Sequence, residues 1–197
     1  MTLITPAEGR PQGFLESRVF EGVAGLEERA GGWGALIGDE GSASEIARRG
    51  LAAVARDVDG RGARTMMREA LHATEGTRSA VEMVQKLFRP GAGPTDTAAY
   101  FPVVLDAAKE GDEAALEILR WAGGELALTA LTVLRKLGIA AEPVAVATVG
   151  GVFAAGELVL GPLRARLLAG APLARLGPPA HVPEIGAIRL VRAEEAR

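Results

Sequence analysis

A chain of 197 residues that is 48% hydrophobic has enough apolar material to bury the core of one large domain or two small ones. Its formal net charge of -3 and pI near 5.6 supply no basic field to draw in nucleic acid or an anionic membrane. With no cysteine it can form no disulfide, thiolate nucleophile or cysteine-ligated zinc or iron–sulfur site. No N-terminal stretch joins a basic start to a long apolar run, and the most apolar stretches carry too many small or charged residues to cross a bilayer. The expected compartment is the cytoplasm.

Residues 1 to 30 read as an irregular N-terminal segment in which MTLIT suits a short strand. FLESRVFEGVAGLEERA suits either two strands around Gly22 to Gly25 or a poor helix. Residues 31 to 197 read as one domain, entered through the glycine-dense turn GGWGALIGDEGS. Ser42 followed by Glu45 predicts a capping box, each side chain bonding the other residue's backbone N–H at a helix start. In that helix Ile46, Leu51, Val54 and Val58 fall close to one face, and the DVDGRG turn at Gly60 predicts its end. Further helices are predicted over Arg64 to Ala73, Thr77 to Phe88, Ala98 to Glu110 and Asp112 to Leu137. Asp112 is expected as a cap with Glu113 in the first turn, and RPGAGPTD, Arg89 to Asp96, as a loop. In EPVAVATVGGVF a run of β-branched and small apolar residues between Pro143 and a glycine pair predicts a central strand, Val144 to Val149, buried on both faces. A tight turn and a helix over roughly Gly156 to Leu168 should follow. AIRLV, Ala187 to Val191, reads as a last strand or the start of a closing helix. Helices packed around a buried strand predict an α/β architecture with a central sheet.

The glycine turn raises a chemical question. Glycines at 31, 32, 34 and 38 permit positive φ and bring backbone N–H groups close to a ligand, while Trp33 offers a flat apolar face. Asp39 and Glu40 precede a helix N-terminus, where the macrodipole favours negative charge. A carboxylate there suits accepting hydrogen bonds from hydroxyls better than acting as a base near neutrality. That combination points to polyol binding; the plain alternative is a hairpin with Trp33 in the core and the acidic pair capping a helix. Gly150 and Gly151 let the backbone approach a nucleotide, or else form a packing turn. Trp121 is expected in the core or an interface, His181 in a loop, and His72 on a solvated or half-buried helix face.

GGWGALIGDEGSASEIARRGLAAVARDVDGRG closely resembles the corresponding block of the BadF/BadG/BcrA/BcrD ATPase family, which includes N-acetylglucosamine and glucosamine kinases. TDTAAYFPVVLDAAKEGDEAALEILRWAGGELA, VAVATVGGVF and PEIGAIRLV fit in the same order, so the resemblance covers nearly everything from Gly31 onward. It implies the C-terminal lobe of the actin-like, hexokinase-like (ribonuclease H-like) ATPase fold, closing on ATP and Mg²⁺. In kinases of this family the GGWG turn and the aspartate of GDEGS contact the sugar, which carries over to Gly32, Trp33, Gly34 and Asp39. The glycine pair after the central strand lies against adenosine and phosphates, which carries over to Gly150 and Gly151. The implied ligands are a sugar and an adenine nucleotide, with neither nucleic acid nor membrane as partner.

The family's kinases also begin with a D-G-G-T-like phosphate loop and a catalytic aspartate, then a GTGS-like loop just before GGWG, and residues 1 to 30 show none of these. Since positioning and electrostatics supply most phosphoryl-transfer catalysis, the expectation is the second half of an amino-sugar kinase, inactive alone. It would be either truncated or assembled with a separately encoded first domain, and exposed apolar cover predicts a homodimer or higher oligomer. A non-catalytic sugar- or nucleotide-binding lobe is the alternative. The family's dehydratase activators hold an iron–sulfur cluster through cysteines, which this chain lacks.

Overall fold

The computed structural model describes residues 2–6, 20–21, 27–87, 91 and 93–179. In chain order the elements are β1 (Thr2–Pro6), β2 (Phe20–Glu21), β3 (Glu27–Glu28), α1 (Ala43–Val58), α2 (Met67–Glu75), α3 (Ala80–Leu87), α4 (Pro94–Ala98), α5 (Phe101–Lys109), α6 (Glu113–Lys136), β4 (Val144–Thr148), a 3-10 turn (Gly151–Ala155), α7 (Glu157–Gly170) and β5 (Arg175–Gly177). They fall into two compact units, one from Met1–Gly34 with Gly123–Arg197 and the other from Ala35–Ala122.

The first unit contains a sheet in the order β1-β4-β5. Strand β4 is antiparallel to β1, with Val146 opposite Ile4, and parallel to β5, with Val146 opposite Leu176. MTLIT therefore holds a strand, and β4 is the middle one. Its burial is one-sided, however: Val144 and Val146 are buried, whereas Ala145, Ala147 and Thr148 are half-buried. Alternate side chains point to opposite faces, so an apolar run can line one dry face and one partly wet face. Strand β5 is too short to carry a periodic signal, and AIRLV lies outside the described residues. Strands β2 and β3 pair antiparallel, Phe20 opposite Glu28, which settles the ambiguous N-terminal stretch as two strands.

Helices α6 and α7 meet in this unit without room for a side chain between them. A Cβ on Gly123 would lie 2.4 Å from the Val159 carbonyl oxygen and 3.1 Å from Pro162 Cβ, and one on Gly170 would lie 2.8 Å from a Leu131 methyl. Leu126, Leu131, Val133 and Leu134 of α6 and Val159, Leu163 and Leu167 of α7 are buried.

In the second unit α1 runs as expected from Ser42 to the turn at Gly60, whose φ of 71° needs glycine. Its buried face is Ile46, Ala47, Gly50 and Val54, with Leu51 and Val58 half-buried. A Cβ on Gly50 would meet Val104 at 2.5 Å, so α1 and α5 nearly touch there. The expected helix from Ala98 starts later, as α5 at Phe101, and the short α4 forms ahead of it; Pro94 and Pro102 each occupy a first turn, where the missing N–H costs nothing. Pro94 to Asp96 is accordingly helix rather than loop, and the Gly93 N–H donates to Asp96 Oδ2 at 2.9 Å.

Asp112 does cap α6, accepting the Ala115 N–H at 2.9 Å, but it is also buried and tied elsewhere. Its other oxygen accepts from the Thr65 hydroxyl at 2.8 Å and the Met66 N–H at 2.7 Å, pinning the start of α2. Replacing Asp112 by Ala leaves buried donors unsatisfied and should cost about 2 to 4 kcal/mol. Urea unfolding of D112A checks this; a loss as small as that of an exposed cap would show that the carboxylate does not hold this loop.

Candidate functional site

The glycine turn has the backbone its composition demands at three positions: φ is 72° at Gly31, 64° at Gly32 and 98° at Gly34. Gly38 is an exception, since its φ is not positive; Gly41, with φ 81°, takes the left-handed position nearer the helix. Trp33 is 63% exposed, so it is not a core residue. The Arg29 guanidinium lies over its ring, 4.9 Å from the centroid. Helix α6 supports this segment: Lys136 Nζ donates to Glu28 Oε2 and to the Arg29 carbonyl, both at 3.1 Å, and Gly31 faces the Thr129 side chain.

Gly32, Trp33 and Gly34 belong to the first unit and Asp39 to the second. Asp39 is half-buried. Its carbonyl accepts the Ser42 N–H at 3.0 Å, while its carboxylate has no hydrogen-bond or ion-pair partner among the described residues. Such a group remains able to accept hydrogen bonds from a ligand. Glu40 is exposed.

Half of the expected capping box forms. Glu45 N–H donates to Ser42 Oγ at 3.1 Å, but the Glu45 carboxylate turns to Arg48, accepting from Nε at 2.6 Å and Nη2 at 2.7 Å, and to Arg49 Nε at 3.0 Å. Charge-assisted bonds one turn along the helix outcompete a neutral N–H. The Arg48 hydrogen bond, reinforced by the charges of Arg48 and Arg49, holds the Glu45 carboxyl below the ordinary carboxylate range.

At the carboxyl end of β4, Gly150 adopts φ 123° and ψ 160°, a conformation only glycine takes readily. Gly150 and Gly151 are exposed, and a Cβ on Gly151 would meet nothing within 4 Å. The chain then makes the 3-10 turn and enters α7 through Gly156 (φ 56°, ψ -135°). An open glycine turn between a strand's carboxyl end and a helix suits close approach of a nucleotide backbone. The fit of ATP to this turn is therefore reasonable. Mg²⁺ fares differently, because no group of three or more His, Asp or Glu side chains suited to a metal ion occurs among the described residues.

Residues with weaker sequence signals separate cleanly. Trp121 is half-buried rather than core, with the Arg49 guanidinium 3.4 Å from its ring centroid. The pair lines a groove of about 530 Å³ that also includes Arg48, Arg56 and Glu117 and none of the expected site residues. His72 is half-buried on α2, its Nδ1 2.8 Å from the Thr77 hydroxyl, and His181 lies outside the described residues. Arg29 and Lys136 carried no sequence signal beyond a cation four residues before a tryptophan and a basic helix end. No helix among the described residues is long and apolar enough to cross a membrane.

These features define a helix-rich α/β protein with a small sheet and an open glycine turn at the end of its middle strand. The model of the BadF/BadG/BcrA/BcrD ATPase family matches residues 14–188, and the chain belongs to that family. Over 128 residues it is 31% identical to an N-acetylmuramic acid/N-acetylglucosamine kinase of Clostridium acetobutylicum, a match covering 65% of this chain and 42% of that protein. Its fold is similar to a crystal structure from Chromobacterium violaceum described as a candidate N-acetylglucosamine kinase. There the TM-score is 0.67 and the identity 26%, over 87% of this chain and 54% of the other. The chain thus spans about half the length of the relatives it matches.

The Glu45 geometry has a pH consequence. A carboxyl whose folded pKa lies below its unfolded value stabilises the fold above the ordinary carboxylate range and loses that contribution as pH falls through the folded value. Glu45→Gln should lower stability at neutral pH by about 1 kcal/mol or less, as the arginines are largely exposed, and the gap to wild type should close on acidification. Denaturant titrations from neutral to acidic pH check it; a gap that widens in acid would contradict the pairing.

Proposed function

We propose that the chain is the sugar- and nucleotide-facing part of an amino-sugar kinase, corresponding to the C-terminal lobe of an actin-like ATPase fold. Gly32, Trp33, Gly34 and Asp39 receive the sugar, and Gly150 and Gly151 receive an adenine nucleotide. The observation that carries this reading is Trp33. A tryptophan held mostly exposed between glycines of positive φ forfeits a large apolar burial, which a ligand stacking on its face would recover. The Asp39 carboxylate, without a partner among the described residues, supports it, as does the N-acetylglucosamine kinase activity named for the relatives. ATP supplies the phosphoryl group in this family's kinase chemistry. This chain's part is to admit the nucleotide against bare backbone and to hold sugar hydroxyls, with no step assigned to Mg²⁺.

Residues 1 to 30 carry neither a D-G-G-T-like nor a GTGS-like loop, so we propose binding without phosphoryl transfer by these 197 residues alone. The phosphate-loop portion that the family's kinases carry would complete the chemistry, in whichever chain it resides. Leu128, Leu168 and Leu173 in the first unit and Leu36 and Ile37 in the second offer exposed apolar contacts for it.

Calorimetric titration with N-acetylglucosamine, glucosamine and a non-hydrolysable ATP analogue tests the reading. Asp39→Ala should abolish sugar binding while leaving the fold intact, because a charge-assisted hydrogen bond contributes about 1.5 to 3 kcal/mol. Gly150→Ala should weaken the nucleotide alone. A melting-point drop in D39A with sugar affinity untouched would reduce Asp39 to a structural residue, and robust ADP release by the isolated chain would overturn the view that it binds without transferring.

A further inference from the structure

Read as sequence, Lys136 is a basic residue in the last turn of a helix, where the macrodipole favours a cation. Its Nζ nevertheless reaches two acceptors 108 and 107 residues earlier, Glu28 Oε2 and the Arg29 carbonyl, both at 3.1 Å. One ammonium thereby ties both the side chain before Arg29 and the backbone of Arg29 itself to α6. Thr129 lies about two turns before Lys136 and so on the same face of α6, where a Cβ on Gly31 would meet its side chain at 3.6 Å. The Arg29 guanidinium then lies over one face of the Trp33 ring, 4.9 Å from the centroid, and the indole is otherwise open, at 63% exposed. All of these residues belong to the first unit. An exposed side chain without support samples several rotamers, and ordering it on binding lowers affinity. An indole already stacked on a guanidinium has less freedom to lose and presents a single face.

We propose that Lys136 and Arg29 are positioning residues for Trp33: Lys136 fixes the Arg29 backbone to α6, and Arg29 covers one face of the indole so that the sugar meets the other. The proposal rests on the reading of the Gly32–Gly34 turn as a sugar site. Neither cation touches the sugar; both act through the ring of Trp33, which takes the apolar C–H face of a pyranose.

Trp33 and Trp121 are the two tryptophans of the chain, so in a Trp121→Phe background fluorescence reports on Trp33 alone. Time-resolved anisotropy of that indole is read beside calorimetric titration with N-acetylglucosamine and with a non-hydrolysable ATP analogue. Lys136→Met and Arg29→Gln should each make the indole more mobile and weaken sugar binding about three- to tenfold, the effect of one further side chain to immobilise, with nucleotide affinity unchanged. Lys136→Arg should restore both readouts. Because the two residues act through one ring, the double variant should bind sugar no more weakly than Arg29→Gln alone. Melting should move little, since the Lys136–Glu28 pair is exposed. An indole no more mobile in either variant, additive losses in the double variant, or a Lys136→Met melting point several degrees lower would overturn the proposal while leaving the sugar site standing. If neither wild type nor the Trp121→Phe chain binds the sugar, the sugar reading of the turn fails, and the proposal falls with it.

Discussion

The close crossing of α6 and α7 at Gly123 is the constraint on which the candidate turns of the first unit depend. With only hydrogen on that Cα, the α6 backbone comes against the Val159 carbonyl and the Pro162 ring, and no other residue type permits this approach. Each helix then supports one of the two exposed glycine turns. The Gly150 to Gly156 segment delivers the chain from β4 into α7, while Thr129 and Lys136 of α6 back the segment from Glu28 to Gly31. Pro162 sits inside α7 at the crossing, where its missing N–H removes one helical hydrogen bond while its ring fills space against Gly123. Displacing either helix would move the turn it supports.

Much of this was legible in the sequence because the signals were local. Ser42 and Gly60 bracket α1, and the β-branched run marks β4, since capping chemistry and side-chain alternation act over a few residues. The failures are equally physical. The helix read from Ala98 starts only at Phe101, with Pro102 in its first turn, and Glu45 found two arginines one turn on in place of the N-cap. Both signals were present in the spacing, but a competing rule won. By contrast, the three-residue β5 and the Arg49–Trp121 stack depend on partners distant in sequence, which no window of residues contains.

The candidate site divides the same way. Positive φ at Gly31, Gly32, Gly34 and Gly150 follows from glycine itself, and the turns were recognisable as turns. What the sequence could not tell is that Trp33 stays out of the core with Arg29 over its ring, or that Lys136 claims Glu28.

The central claim is that the two glycine turns are ligand-contacting surfaces. Amide hydrogen exchange read by mass spectrometry, with N-acetylglucosamine and with an adenine nucleotide in turn, tests it most directly. The account predicts protection confined to residues 29–39 with the sugar and to residues 149–157 with the nucleotide. Protection appearing instead along the α1–α6 groove lined by Arg49 and Trp121, with both turns unchanged, would contradict it.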